Sequence, residues 1–360
     1  MSFVEAIAAK RDGDSISREQ IAQFVRGASD DSLPREQLAA MLMAICCRGM
    51  SADETRWLTE EMLQSGESWD LKSEIPDVVD KHSTGGIGDT VSLILAPLLA
   101  AVGVPVAMMA GRGLGHSQGT LDKLDAIPGW DSSRDRRQTL DLIDRCGAAI
   151  IAQTEDIAPA DRTLYALRDV TGTVPSLPLI VGSIMSKKLA LGAGALILDV
   201  KWGSGAFRKT LEDAKELAAA LKGVAVETGV KCDAVITDMN QPLGPALGTA
   251  CEVRQALAVL VGEGDEGLLD VTVRLSREAL VMQGWDGHEA EHVLREAIED
   301  GSALAAWERM VEAHGGDPDP DRLSRPRETV ELEAASEGYV VAFYGEDLGR
   351  VAAQVGAGRN

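Results

Sequence analysis

Residues 76–120, PDVVDKHSTGGIGDTVSLILAPLLAAVGVPVAMMAGRGLGHSQGT, carry the pattern from which the fold is read. A short β-like run (77–79) leads into a glycine-rich turn, the turn opens a helical stretch (90–102), and a second β-like run (104–109) ends in another glycine-rich turn. Strand, helix and strand in that order, with glycines after each strand, argue for a parallel pair joined by a helical crossover. The alternation continues with β-like runs at 148–151, 195–200 and 234–237 and a helical stretch at 211–228. A mainly parallel sheet covered by helices follows. In such sheets ligands gather at the carboxyl ends of the strands.

Outward from this core, the first 65 residues read as helices only. Ser17 with Gln20 and Ser51 with Glu54 have capping-box spacing, and Ile21, Phe24 and Val25, then Leu38, Met41, Leu42 and Ile45, then Trp57, Leu58 and Met62 recur at helical intervals. A second helical stretch interrupts the α/β pattern at 159–191. The reading is an α/β protein with a helical lobe (1–65 and 159–191), an α/β lobe (76–158 and 192–314) and a ligand cleft expected between them. Residues 315–328 read as a linker, and EGYVVAFYGEDLG as the start of a β-rich portion over 329–360 that stops abruptly.

Composition narrows the function. With 35 basic against 57 acidic side chains, the formal net charge is −22, the wrong sign for coating nucleic acid or an anionic membrane. A few oriented donors can still hold one small anion. The longest apolar run, 93–109, is broken by Pro97, Gly103 and Pro105, and no signal segment is read at the amino terminus. Five cysteines in no metal-binding spacing suit a reduced, cytoplasmic protein, and no metal site is expected.

Three clusters carry chemistry. In Asp80-Lys-His-Ser-Thr-Gly-Gly-Ile-Gly-Asp-Thr90, Lys81, Ser83, Thr84 and the helix-opening amides can donate to an anion, although a plain turn would look much the same. In Ala110-Gly-Arg-Gly-Leu-Gly-His-Ser-Gln-Gly-Thr120, four glycines cost backbone entropy that an ordinary connection does not need. On neighbouring strands the two turns would converge into a phosphate site. In the helical insertion Tyr165 and Arg168 share one face and Ser183 and Lys187 another, a set suited to a planar base or to solvated helix charges.

With these residues in view, DKHSTGGIGDT, AGRGLGHSQGTLDKLDAIPGW, QTEDIAPADRTLYALRDVTGTVPS, SIMSKKLALG, DVKWGSGAF and TDMNQPLG together resemble the thymidine and pyrimidine-nucleoside phosphorylase family in order along the chain. The resemblance implies a class II-like nucleoside phosphorylase fold, a cytoplasmic homodimer formed through the helical lobe, and reversible phosphorolysis of thymidine or another pyrimidine nucleoside to free base and 2-deoxy-α-D-ribose 1-phosphate. Phosphate is a co-substrate and no cofactor is implied. By position, Lys81, Ser83, Ser92 and Thr120 match the phosphate ligands. His82 matches a histidine that assists departure of the base, while Arg168, Ser183 and Lys187 match the pyrimidine ligands, with Tyr165 and Leu114 lining that pocket; His82, Arg168 and Lys187 are the expected catalytic residues.

The sequence departs from the family pattern at Ala110, where the family has a serine, and at Gln118, which adds bulk to the second turn. Family chains also run on past the point matching GAGRN, so a shortened carboxyl-terminal portion is expected. Some members imply a monovalent cation near Gly88, Thr90, Leu243 and Ala246, but Gln255 stands where those members carry glutamate. Met108, in place of a lysine found in broader-specificity relatives, favours thymidine over uridine. The alternatives are a broad-specificity pyrimidine-nucleoside phosphorylase, a related phosphoribosyltransferase using magnesium, and a binding protein without activity.

Overall fold

The computed structural model describes residues 2–113, 115 and 117–357. Its contacts divide the chain into two compact units, one of residues 1–76, 153–194 and 216–232, the other of 77–152, 195–215 and 233–360.

The first unit is helical. Phe3–Asp12, Arg18–Ser29, Arg35–Arg48 and Ala52–Gln64 are joined by Pro159–Thr171 and Leu177–Leu191. Both capping boxes form: the Ser17 and Ser51 hydroxyls accept from the backbone amides of Gln20 and Glu54, whose side chains accept from the serine amides in return. Glu54 does more than cap. Its carboxylate takes the Lys10 ammonium at 2.8 Å and the Ile16 amide at 2.8 Å, in a pair almost wholly excluded from solvent. Ile21, Phe24, Leu38, Met41, Leu42, Ile45, Leu58 and Met62 are buried together with Leu164, Leu167 and Leu179, so the insertion completes the helical core. This unit also takes 216–232, most of the helix Leu211–Glu227, which periodicity alone assigns to the α/β part.

The second unit is built on a five-stranded sheet. Its strands are β1 (Val79–Ser83), β2 (Val106–Ala110), β3 (Ala148–Ala152), β4 (Ala195–Trp202) and β5 (Lys231–Asp238), in the order β3-β2-β1-β4-β5. β1 runs parallel to both β2 and β4, and β2 runs parallel to β3. The helix Val91–Ala101 crosses from β1 to β2 and is buried along nearly its whole length, Pro97 included, as a continuous apolar helix must be. The first strand lies later than the 77–79 run suggests. Val79 to Ser83 pair residue by residue with Ala195 to Asp199, so Lys81, His82 and Ser83 belong to the strand rather than to the turn after it.

The carboxyl-terminal segment also differs from expectation. No strand forms in 329–344, where Leu332, Tyr339 and Val341 are each more than nine-tenths exposed, and the helix Gly345–Ala352 follows. A β-prone run without a neighbouring strand has no ladder to join. Among the described residues no helix is long and apolar enough to cross a membrane.

Candidate active site

The candidate side chains fall into two groups, one in each unit. In the α/β unit, β1 alternates its side chains across the sheet, so Lys81 and Ser83 project to one face and His82 to the other. Lys81 is buried and its ammonium donates to the Ser92 hydroxyl at 3.1 Å; Ser92 lies in the first turn of the helix Val91–Ala101. Ser83 donates to Asp89 at 2.6 Å and accepts the Gly85 amide at 3.1 Å, which folds the glycine-rich turn back onto the strand. The parallel pairing of β1 with β2 puts this turn and the 111–119 turn at the same edge of the sheet.

The second turn is tight for a steric reason. A Cβ on Gly113 would come within 2.1 Å of the Ser117 carbonyl oxygen, and one on Gly119 within 2.3 Å of the Gly111 carbonyl oxygen. Asp122 accepts both the Gly113 and Gly119 amides, at 2.6 and 2.9 Å, and so staples the turn to the helix Thr120–Leu124. Thr120 opens that helix, but no hydrogen bond joins it to Lys81, Ser83 or Ser92 among the described residues. Gln118 donates to the Ala357 carbonyl. Leu114, expected in the pyrimidine pocket, lies outside the described residues.

Behind Lys81 stands a set of charges that the motifs alone do not reveal. Asp199 on β4 lies 3.5 Å from the Lys81 ammonium and 2.8 Å from that of Lys201, and accepts the Thr237 hydroxyl at 2.6 Å. Asp89 lies 3.8 Å from Lys201. Burial alone would push both groups toward neutrality. Instead the lysines around Asp89 (Lys201, Lys81 and Lys123) hold its carboxyl well below the usual range, and Asp199 and Asp89 hold the Lys201 ammonium above its ordinary value. Lys81 and Lys201 face Asp89 and Asp199, and Lys123 pairs with the buried Glu252 at 2.8 Å, so each ammonium has a carboxylate and an arriving anion would draw on the turn amides and hydroxyls as well as on Lys81.

In the helical unit the insertion brings its residues together. The Arg168 guanidinium lies 5.5 Å from the centre of the Tyr165 ring and the Lys187 ammonium 5.9 Å from it. Arg168 is buried and donates to the carbonyls of Leu179 at 3.0 Å and Val174 at 2.7 Å, which anchors it to the start of the next helix and the turn before it. Burial lowers its basicity, against the attraction of Asp161. Lys187 donates to Asp161 at 2.7 Å and to the Ser183 hydroxyl at 3.3 Å. Asp161, one helical turn before Tyr165, is the member that sequence reasoning missed. Its spacing of four from Tyr165 was the available signal. Asp161 Oδ1 and Arg168 Nε are buried and have no hydrogen-bond partner among the described residues, which leaves one acceptor and one donor uncommitted on neighbouring groups.

Comparison with known proteins divides the chain by sequence, so that 153–194 and 216–232 of the helical unit fall within the a/b match. The glycosyl transferase family, helical bundle domain, matches residues 4–66, and the glycosyl transferase family, a/b domain, matches 75–304. The chain is 45% identical over 365 residues to the pyrimidine-nucleoside phosphorylase of Geobacillus stearothermophilus, an alignment covering 100% of this chain and 84% of the relative. It is 44% identical over 366 residues to the pyrimidine-nucleoside phosphorylase of Staphylococcus aureus (strain USA300), with the same coverage of 100% and 84%. Among solved structures, anthranilate phosphoribosyltransferase from Thermus thermophilus superposes with a TM-score of 0.67 over 86% of this chain and 99% of that one, at 19% identity. At that identity the likeness is one of fold.

Proposed function

The chain belongs to the pyrimidine-nucleoside phosphorylase family, and from that premise we propose that it cleaves thymidine and related pyrimidine nucleosides with inorganic phosphate. The products are the free base and 2-deoxy-α-D-ribose 1-phosphate, and the reaction runs in both directions in cytoplasmic pyrimidine salvage. The observation that carries this reading is the base-side cluster, in which Arg168 and Lys187 flank Tyr165 beside Ser183.

Phosphorolysis develops positive charge on the sugar and negative charge on the departing pyrimidine. Arg168 and Lys187 stabilise that anion, Ser183 orients it, and Tyr165 supplies an apolar face against which it stacks. On the phosphate side, Lys81, Ser83, Ser92 and Thr120 hold the nucleophile, with Asp199, itself paired with Lys201, fixing the Lys81 ammonium. Positioning each reactant lowers the entropic barrier and requires no covalent intermediate with the protein. His82, on the opposite face of β1 from Lys81, protonates the leaving base. The helical unit forms a homodimer.

The test is base release from thymidine by the purified chain, with and without phosphate, and with uridine in parallel. Phosphate-dependent thymine release that needs no magnesium supports the reading, and a lower rate on uridine supports the thymidine preference. Magnesium-dependent consumption of a free base with a pyrophosphorylated sugar, releasing pyrophosphate, together with no phosphate-dependent thymine release, would replace it with a phosphoribosyltransferase.

A further inference from the structure

Gln255 lies on the helix Thr249–Leu260 with its side chain buried. Its carboxamide oxygen accepts the Ala246 amide at 2.8 Å, and its nitrogen donates to the Leu243 carbonyl and to the Thr90 hydroxyl, each at 3.1 Å. These contacts define which way the amide points. Reversed, its oxygen would face the Leu243 carbonyl and its N–H groups would face the Ala246 N–H, like against like.

The three contacts join two separate segments. Thr90 closes the first glycine-rich turn, and 243–246 is the loop before the helix that carries Gln255. The same segments meet at the Leu243 amide, which donates to the Ile87 carbonyl at 3.4 Å. They meet again at Gly88 (φ +67°), where a Cβ would approach the Leu243 nitrogen to 3.3 Å and the Ala246 carbonyl oxygen to 3.4 Å. The Gln255 side chain therefore sits at the junction between the turn and the loop.

A monovalent cation at this junction, as the family resemblance implies, would need oxygens converging on it. The Leu243 carbonyl and the Thr90 hydroxyl do converge, but on the two N–H donors of a neutral amide. These residues do not fit a cation. We propose that the Gln255 amide nitrogen takes the ion's place, tying the 85–90 turn to 243–246 without a metal, so that this chain is indifferent to potassium. The chemistry also runs in reverse. A carboxylate at position 255 would replace the donor with an acceptor and gather mutually repelling oxygens, a set that a monovalent cation relieves.

The experiment is thermal melting of the full chain in potassium chloride and in tetramethylammonium chloride at equal ionic strength, for the unaltered protein, Gln255→Glu and Gln255→Met. The unaltered protein is expected to melt at the same temperature in both salts, and Q255M lower than it in both. Q255E is expected to melt lower in tetramethylammonium and to recover by about 3 °C or more in potassium, because an ion that binds only the folded state stabilises it. Nucleoside cleavage measured alongside should become potassium-dependent in Q255E alone, through the KM for phosphate. A potassium-specific rise in the melting temperature of the unaltered protein overturns the proposal even if Q255E fails to fold, and so does a folded Q255E that ignores potassium. The cleavage arm rests on the phosphorolysis reading and the melting arm does not, so an inactive protein with ion-independent melting counts against that reading alone.

Discussion

The Lys81 ammonium donates to the Ser92 hydroxyl at 3.1 Å, tying the middle of β1 to the first turn of the helix that follows it. The contact places a positive charge beside a hydroxyl at a helix amino terminus, two kinds of donor that suit a phosphate.

Ser92→Ala is therefore expected to act on phosphate more than on the nucleoside. Loss of one hydrogen bond to a charged group is worth about 1.5–3 kcal/mol, which corresponds to a rise in the phosphate KM of roughly ten- to a hundredfold. Steady-state kinetics with each substrate varied in turn check this. An equal rise in both KM values would speak for a general loss of structure.

Lys187→Met tests the base side. Removing the ammonium takes away the charge proposed to stabilise the departing base and leaves the buried Asp161 carboxylate without its 2.7 Å partner. By analogy with loss of one preorganised donor, kcat should fall about a hundred- to a thousandfold. A companion Asp161→Asn variant, which keeps an oxygen facing Lys187, should lose less.

His82→Asn is expected to lower kcat by about a hundredfold or more if the imidazole delivers a proton in the transition state. The pH profile of the residual activity should lose the limb that the histidine contributes. Near-full turnover with an unchanged profile would remove His82 from the mechanism.

A fourth prediction concerns stability. His314 is fully buried, stacked on Trp130 with ring centres 4.0 Å apart, and held between the Asp131 carbonyl on Nδ1 and the Ile150 amide on Nε2. Burial lowers its pKa from 6.5 to about 4, against the Asp131 carbonyl, which favours the proton. A proton on Nε2 would point at the Ile150 N–H. Between these two pKa values the unfolded chain binds a proton that the folded chain refuses. The stabilisation is therefore complete above the unfolded value and is lost as pH falls toward the folded one, by about 3 kcal/mol in all. Urea melts of the protein and of His314→Gln at pH 7.5 and 5 should show a steeper loss in the unaltered chain. Equal losses would mean that other groups govern the acid limb.

Much of the architecture was legible before any coordinates. The capping boxes at Ser17 and Ser51 form as their spacing requires, and the β-like runs at 104–109, 148–151 and 195–200 all become strands of a parallel sheet. These signals are local, arising from hydrogen bonds and side-chain periodicity within a few residues. The first strand was the exception. Its span through Ser83 comes from the ladder with β4, a partner distant in sequence that no local pattern encodes. The run at 339–343 failed in the opposite sense, because high β-propensity forms no strand without a neighbour to pair with.

At the candidate site the types of residue were readable and their partners were not. Sequence alone determined that a lysine, two serines and a threonine flank glycine-rich turns, and that a tyrosine, an arginine, a serine and a second lysine share the faces of two helices. Only the tertiary structure decided that Asp199 stands between Lys81 and Lys201, that Asp161 holds Lys187, and that the Gln255 amide turns its nitrogen toward Thr90. The reason is energetic. A charge or an amide in water is nearly indifferent to its neighbours along the chain. Once buried, it is tolerated only with a partner within a few ångströms, and strand pairing and helix packing bring that partner from elsewhere in the sequence.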